Sequence, residues 1–514
     1  MLDLSVRDDS RIRYESLAWL LIFLGVAVRL WIRTPTDFWE DEFIAATHAM
    51  RPFWQVLIDT VRNDVHPPLY FLQLHAWSLL GQSDLWLTAN SVFWSLIALA
   101  SLWWTTKKLY GDRVALLATA VFAILPSPTY MADQLRMYAM LATLIIWAFY
   151  FAFISFGGEP RTRKNLFCLA FVLIAICNTH AIGAIAVFSN GIYALGLVLA
   201  QPREKRPIKI WLLIYGVSTI CAAPWIVNGM MHDANLGELE GISGFLTATS
   251  STAIGSIVYS NHSLRLAGAV LGLLIILLGL GTRRGRLLTL AFLLLPLALA
   301  VMAELLHKPL FKWNFFSTLA APSIAIVAGL ALQAHQSRIA RLVSAGCIVA
   351  FLAIAIDVRL TVSESQGFRA LASLIRANYK PGDFVYVPQP SIFGGMAWYL
   401  EGPHWGSPLV IAPPPSPQWR KVYDRLGPRL VGMLGLEPKS QILHGKNVTL
   451  LIGNNSADQA VGAARVWLVT VPRGDLKDGY PPPDLNGLRP QWSKRERLWT
   501  TLYAASPQEI TEAR

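Results

Sequence analysis

The chain has 514 residues, of which 54% are hydrophobic and only 15% charged, with a mean hydropathy of +0.43. That balance excludes a soluble globular domain and indicates a polytopic α-helical membrane protein. The formal net charge of +12 does not point to nucleic acid, because the Lys and Arg excess falls in short clusters between apolar runs rather than on one face. All four cysteines, Cys168, Cys177, Cys221 and Cys347, lie inside apolar segments without metal-type spacing, and are expected as free core thiols.

A bilayer crossing takes about 20 mostly apolar residues. Runs that qualify begin near Leu17, Leu85, Val114, Met137, Leu166, Ala181, Trp211, Leu264, Leu287, Phe315 and Leu342, which predicts about eleven helices. The first run lacks a small-residue cleavage site and is expected to stay in place as an anchor. The connecting loops alternate in charge. Arg7, Arg11 and Arg13 precede the first run; Lys107, Lys108 and Arg113 follow the second; Arg161, Arg163 and Lys164 follow the fourth. Arg203, Lys205, Arg206 and Lys209, then Arg283, Arg284 and Arg286, then Arg338 and Arg341 continue the pattern. Such loops are cytoplasmic by the positive-inside bias. Residues 37–70, 126–136, 178–180, 228–262 and 304–312 are therefore exported, together with the chain after Asp357.

At Asp357 the composition turns polar and proline-rich. Residues 383–388, 409–413, 448–453, 465–471 and 498–503 read as strands and 368–378 as a helix. The expected organisation is a transmembrane module over 1–357, with interfacial helices in the loop 34–84, and an exported α/β or α+β domain over 358–514. The tail carries no glycine-rich dinucleotide fingerprint and no clustered metal ligands, so it reads as a scaffold or partner-binding domain. Its Asn-X-Ser/Thr matches, with that at Asn261, are short enough to be chance.

The chemistry concentrates in the first exported loop. Glu40, Asp41 and Glu42 are consecutive carboxylates between Trp39 and Phe43, and acids beside a hydrocarbon boundary are costly unless solvated or paired. Asp41 is the candidate general base, since an ionised carboxylate at the mouth of a wet cavity can take a hydroxyl proton. Glu40 and Glu42 are candidates for capping the helix that follows, where a first turn favours acids; that helix reads as amphipathic and interfacial through Val61. Asp64 and His66 stand before Pro67 and Pro68, which hold the backbone extended at the entry to the next apolar stretch. Both residues fit an ion or phosphate contact as well as a structural role. Arg136, in QLRMY with Tyr138, starts the fourth helix on the exported side; a guanidinium there could snorkel to the interface, but it also matches a phosphate in two-pronged geometry. His180 ends the fifth helix on the same side, with a structural role equally open. Lys308 and Lys312 flank Pro309 and either meet an anionic lipid head or anchor a helix end. Asp41, Asp64, His66 and Arg136 are the groups expected to meet.

WEDEF, DVHPPLY, LYGDRVALLATAVFAILPSPTYMADQLRMYAM and NTH, taken together, resemble the bacterial GT-C glycosyltransferases, in particular the protein O-mannosyltransferase and aminoarabinose-transferase group. The similarity covers roughly the first 200 residues, and the topology agrees to about Ala350. The resemblance implies a GT-C-type fold and transfer of a sugar from a polyprenyl-phosphate donor to a hydroxyl of an envelope acceptor, whether glycolipid such as lipid A, polysaccharide or protein. It implies Asp41 as the catalytic carboxylate with Glu42 beside it, and Asp64, His66, Arg136 and Tyr138 as donor-site positions. Near the tenth helix the relatives' Arg-Tyr pair is replaced by Lys312-Trp313-Asn314-Phe315, leaving Lys308 or Lys312 to substitute.

The implied enzyme is multi-pass in the inner membrane, its partners being the lipid-linked donor, the acceptor and membrane lipids. No cofactor is required by the sequence; if a divalent metal is used, Asp41, Asp64 and His66 are its candidate ligands. A lipid-linked-saccharide transporter is the alternative; it would more often show charges or broken helices in mid-membrane and an internal repeat, and neither is evident in the sequence.

Overall fold

The structure is a computed structural model. It describes residues 4–31, 37–63, 66–158, 161–231, 277–299 except 279 and 297, 313–334, 367–387, 390–403, 442–452 except 445, 465–470, and 488–504 except 496–498. The helices are α1 (Leu4–Trp31), α2 (Glu40–Ala49), α3 (Phe53–Asn63), α4 (Leu69–Ser78), α5 (Asp84–Tyr110), α6 (Asp112–Ile124), α7 (Pro126–Asp133), α8 (Tyr138–Phe156), α9 (Arg163–Cys177), α10 (Gly183–Leu199) and α11 (Ile208–Met231). They continue with α12 (Arg283–Thr289), which runs into a π-helical turn at Leu290–Leu294, then α13 (Trp313–Ala334), α14 (Phe368–Asn378) and α15 (Pro390–Glu401). The apolar runs expected near Leu264 and Leu342, the strand at 409–413 and Cys347 lie outside the described residues. The three cysteines that are described are free.

The chain divides into two compact units. One comprises Met1–Thr34, Asp64–Tyr70 and Thr88–Val362; the other comprises Pro35–Asn63, Phe71–Leu87 and Ser363–Arg514.

The first unit is helical. Helices α5, α8 and α11 are long and apolar enough to cross a membrane, and α6 with α7 makes a further candidate if the bent pair counts as one span. Helix α6 packs against α1 and α13, and α8 against α9 and α10. Leu99, Val114, Phe122, Leu141, Phe149, Leu173, Phe292 and Val327 form their shared core. Outward faces are apolar too: Phe23 is 70% exposed, Phe167 73% and Ile220 72%. In water such faces would be a liability; against hydrocarbon they cost nothing.

Helices α6 and α7 meet at 56°. Pro126 has no N–H, so the Phe122 carbonyl one turn back loses its helical partner. Arg29, fully buried on α1, supplies the missing donors: its Nη2 donates to the Phe122 oxygen at 3.4 Å and its Nη1 to the Ala123 oxygen at 3.0 Å. A buried guanidinium and the carbonyls of a broken helix thus satisfy one another.

The second unit holds a six-stranded sheet of order β2-β3-β1-β4-β6-β5, formed by Phe384–Val387 (β1), Ile442–His444 (β2), Thr449–Ile452 (β3), Arg465–Thr470 (β4), Arg489–Arg495 (β5) and Trp499–Ala504 (β6). β1 runs parallel to β3 and β4, and the remaining pairs are antiparallel. Every residue of β4 is buried, as expected of a strand covered on both faces. At its start Arg465 grips buried Asp383 with two bonds, Nε to Oδ1 at 2.9 Å and Nη2 to Oδ2 at 2.6 Å. The Trp467 indole and the Lys380 amide donate to the same carboxylate.

Residues 368–378 form the helix expected there, and four expected strands match β1, β3, β4 and β6 within a few residues. Two strands and one helix were not anticipated. β5, RPQWSKR, is an edge strand whose proline and charges conceal it while protecting the edge. Helix α15, PSIFGGMAWYLE, contains Gly394-Gly395, which lowers helix propensity. Gly395 is present for packing: a Cβ there would collide with the Phe43 and Phe368 rings.

Candidate active site

In the first unit, the residues HPP, NTH and QLRMY come together. Leu69 is the first residue of α4 after Pro67 and Pro68, and its amide donates to the Asn178 carbonyl at 2.9 Å. Asn178 is the C-cap of α9; its Nδ2 donates to the Ile174 oxygen at 2.9 Å, while its Oδ1 accepts from the Trp225 indole at 3.1 Å. One asparagine therefore ties the start of α4 and the end of α9 to Trp225 of α11. That places His180 against His66, with ring centroids 4.4 Å apart and planes tilted by 54°. The Tyr138 ring lies 5.6 Å from His180 on α8. All three side chains are buried.

His180 Nδ1 accepts the Ile182 amide hydrogen at 3.0 Å. An acceptor nitrogen carries no proton, so the neutral ring holds its hydrogen on Nε2 and can donate from that side. The turn leaves no space for a larger residue at Gly183, where a Cβ would strike the Ile176 carbonyl.

Arg136 lies in the connector between α7 and α8 and is buried. Its amide donates to the Gln134 carbonyl at 2.7 Å, and the Ser91 hydroxyl of α5 donates to the same oxygen. The bent α6–α7 pair held by Arg29 leads directly into this connector. Beside Tyr138 lies a mostly apolar cavity lined by Ser95, Phe122, Ser127, Met131 and Thr318.

In the second unit, Asp41 is half-buried in the first turn of α2 and Glu42 is buried. Glu42 Oε2 accepts the Trp39 amide hydrogen at 3.1 Å, so this acid reaches back to cap its own helix. Phe38 and Phe43 bracket the segment. Phe43 meets Phe368 and Tyr399 edge-on at 5.0 and 5.9 Å, and Phe38 meets Trp398 at 5.7 Å. Helix α3 exposes Phe53, Trp54 and Ile58 while burying Val56 and Thr60, the two-faced pattern of an interfacial helix.

Asp64, Lys308 and Lys312 lie outside the described residues. Among the described residues no group of three or more His, Cys, Asp or Glu could hold a metal ion. Sequence reasoning did not single out Arg29, which a charge inside the first apolar run signals, nor Asp37, Asp84, Arg369 and Tyr399, which carry no motif.

No family model matches the chain, and no curated protein does. Among solved structures, ArnT from Cupriavidus metallidurans bound to undecaprenyl phosphate is similar over 97% of this chain and 99% of its own, at 14% identity and TM-score 0.58. The chain shares the fold of this ArnT over nearly its whole length. The apo state of the same ArnT aligns over 98% of this chain and 100% of its own, at 14% identity and TM-score 0.57. The apo Archaeoglobus fulgidus oligosaccharyltransferase aligns over 75% of this chain and 64% of its own, at 10% identity and TM-score 0.46. Within this fold His66, His180 and Tyr138 form one buried cluster, and the C-terminal sheet is part of the aligned length.

Proposed function

We propose that this chain is a glycosyltransferase of the inner membrane that moves a sugar from a polyprenyl-phosphate donor to a hydroxyl of an envelope acceptor on the periplasmic side. The acceptor class is glycolipid such as lipid A, polysaccharide or protein. The observation that carries the reading is the buried His66–His180–Tyr138 cluster, next in sequence to buried Arg136, within a fold shared over nearly its whole length with a protein that binds undecaprenyl phosphate.

In this mechanism the acceptor oxygen attacks the anomeric carbon while the bond from that carbon to the phosphate oxygen breaks, inverting the centre. Asp41 takes the hydroxyl proton. Polyprenyl phosphate leaves without needing a proton, and its developing charge is met by preorganised donors: the Arg136 guanidinium, His66, and His180 through Nε2–H. Lys308 and Lys312 are further candidates for that charge. Glu42 acts indirectly, by fixing the helix turn that carries Asp41.

Mass spectrometry of envelope glycolipids, polysaccharides and proteins from a strain lacking the chain tests the reading. One class is expected to lose a single sugar while its lipid-linked donor accumulates. An unchanged envelope with an unchanged donor pool would contradict it.

A further inference from the structure

The second unit contains a polar network that the proposed chemistry does not use. Asp37 stands at the start of the first exported loop and Asp84 at its end, where α5 begins. Both carboxylates converge on two residues of the C-terminal domain. The Arg369 amide, in the first turn of α14, donates to Asp37 Oδ2 at 3.0 Å, and the Arg369 Nε donates to Asp37 Oδ1 at 3.4 Å. Arg369 Nη2 donates to Asp84 Oδ2 at 2.7 Å. The Tyr399 hydroxyl donates to Asp84 Oδ2 at 2.9 Å and accepts the Phe38 amide hydrogen at 3.0 Å. The Trp398 indole donates to Asp84 Oδ1 at 3.2 Å, and Arg369 lies 5.4 Å over the Tyr399 ring.

The geometry makes sense as a latch. Asp37 is buried, and a buried carboxylate is costly unless its oxygens are bonded. Placed at the start of α14, it also meets the positive end of that helix. Tyr399 uses a single oxygen in both directions, accepting from the backbone of the loop's first end and donating to the side chain at its last. Three residues beyond Asp37–Phe38 comes Asp41, and immediately after Glu42 the Phe43 ring is wedged between Phe368 and Tyr399. Residues of α14 and α15 thus grip the chain on both sides of the candidate base.

We infer that Arg369 and Tyr399 are positioning residues: the C-terminal domain fixes the conformation of the 37–43 segment and so aligns Asp41 for proton abstraction. This rests on the glycosyltransferase reading for its consequence but not for its geometry. The domain is thereby part of the catalytic apparatus rather than an accessory appended to it.

The test uses full-length protein in lipid nanodiscs, with Tyr399→Phe, Arg369→Met and Arg369→Lys. Tyr399→Phe keeps the ring packing and removes only the hydroxyl. Hydrogen exchange of amides in 38–49 is expected to rise roughly tenfold in Tyr399→Phe and Arg369→Met, one hydrogen bond's worth, and less in Arg369→Lys, which keeps the charge. Strands β1 and β4 keep their wild-type protection. Turnover of a polyprenyl-phosphate sugar falls about tenfold by the same reasoning, at unchanged donor KM, with partial rescue in Arg369→Lys. Unchanged exchange in 38–49, equal loosening of the sheet, or raised exchange with wild-type turnover would each overturn the inference. If the wild-type protein transfers no sugar, the glycosyltransferase reading fails separately, and the exchange arm alone still decides whether the latch holds the segment.

Discussion

The His66 and His180 rings lie 4.4 Å apart, and the Nδ1 of His180 is occupied by the Ile182 amide hydrogen. This arrangement leaves Nε2 as the only ring nitrogen of His180 able to donate, which separates its structural contribution from its chemical one. An asparagine at 180 can reproduce the Nδ1 contact but not the Nε2 side; a glutamine reaches the Nε2 position. His180→Asn is therefore expected to fold and to lose about 10²-fold in turnover, the usual effect of deleting one transition-state donor, whereas His180→Gln retains more. Equal activity of the two, measured at matched expression, would mean that the ring is structural only.

Arg29→Met removes the donors to the Phe122 and Ala123 carbonyls at the α6–α7 bend. Each buried acceptor left unsatisfied costs about 1–3 kcal/mol. The variant is expected to lower the unfolding temperature in detergent and to weaken donor binding, because the bend leads into the Arg136 connector. Wild-type stability would show that these carbonyls find other donors.

Part of the fold was legible because membrane-spanning helices are regular in length and composition. The apolar runs at Leu85, Met137 and Trp211 match α5, α8 and α11, since hydrocarbon imposes one length and one composition on a helix. The HPP, NTH and RMY motifs were legible as short polar signatures, but the hydrogen bond from Leu69 to Asn178 was not. It joins two backbone groups, and backbone groups leave no trace in residue type. Nor does composition reveal that 35–63 and 71–87 belong to one compact unit with the chain after 363. The latch residues Asp37, Asp84, Arg369 and Tyr399 look individually like ordinary surface groups. Only their convergence gives them meaning.

The Asp383–Arg465 pair is the polar anchor of the sheet. Both side chains are buried, and breaking a buried pair from one side typically costs about 3–5 kcal/mol. Arg465→Met strands the Asp383 charge and is expected to release exchange protection across β1 and β4. Loss confined to the end of β4 would show that the carboxylate is held well enough by the Trp467 and Lys380 donors.

Burial, and then the charge of Asp84, push the Tyr399 phenol above its ordinary range. A raised folded-state value means that the stabilisation is intact below the ordinary tyrosine pKa, about 10, and is lost as pH climbs beyond it. The wild-type protein should therefore lose stability between about pH 10 and higher values more steeply than Tyr399→Phe. Parallel melting curves for the two across that range would contradict the assignment.

The most direct measurement is transfer from a synthetic polyprenyl-phosphate sugar by purified wild-type protein and by Asp41→Asn, with donor binding followed in parallel. Asp41→Asn keeps the shape of the α2 start and removes the base. Donor binding is expected to stay near wild type while turnover falls by at least about 10²-fold, in the range typical of a lost general base. Wild-type turnover in Asp41→Asn, at equal folding and equal donor occupancy, would contradict it.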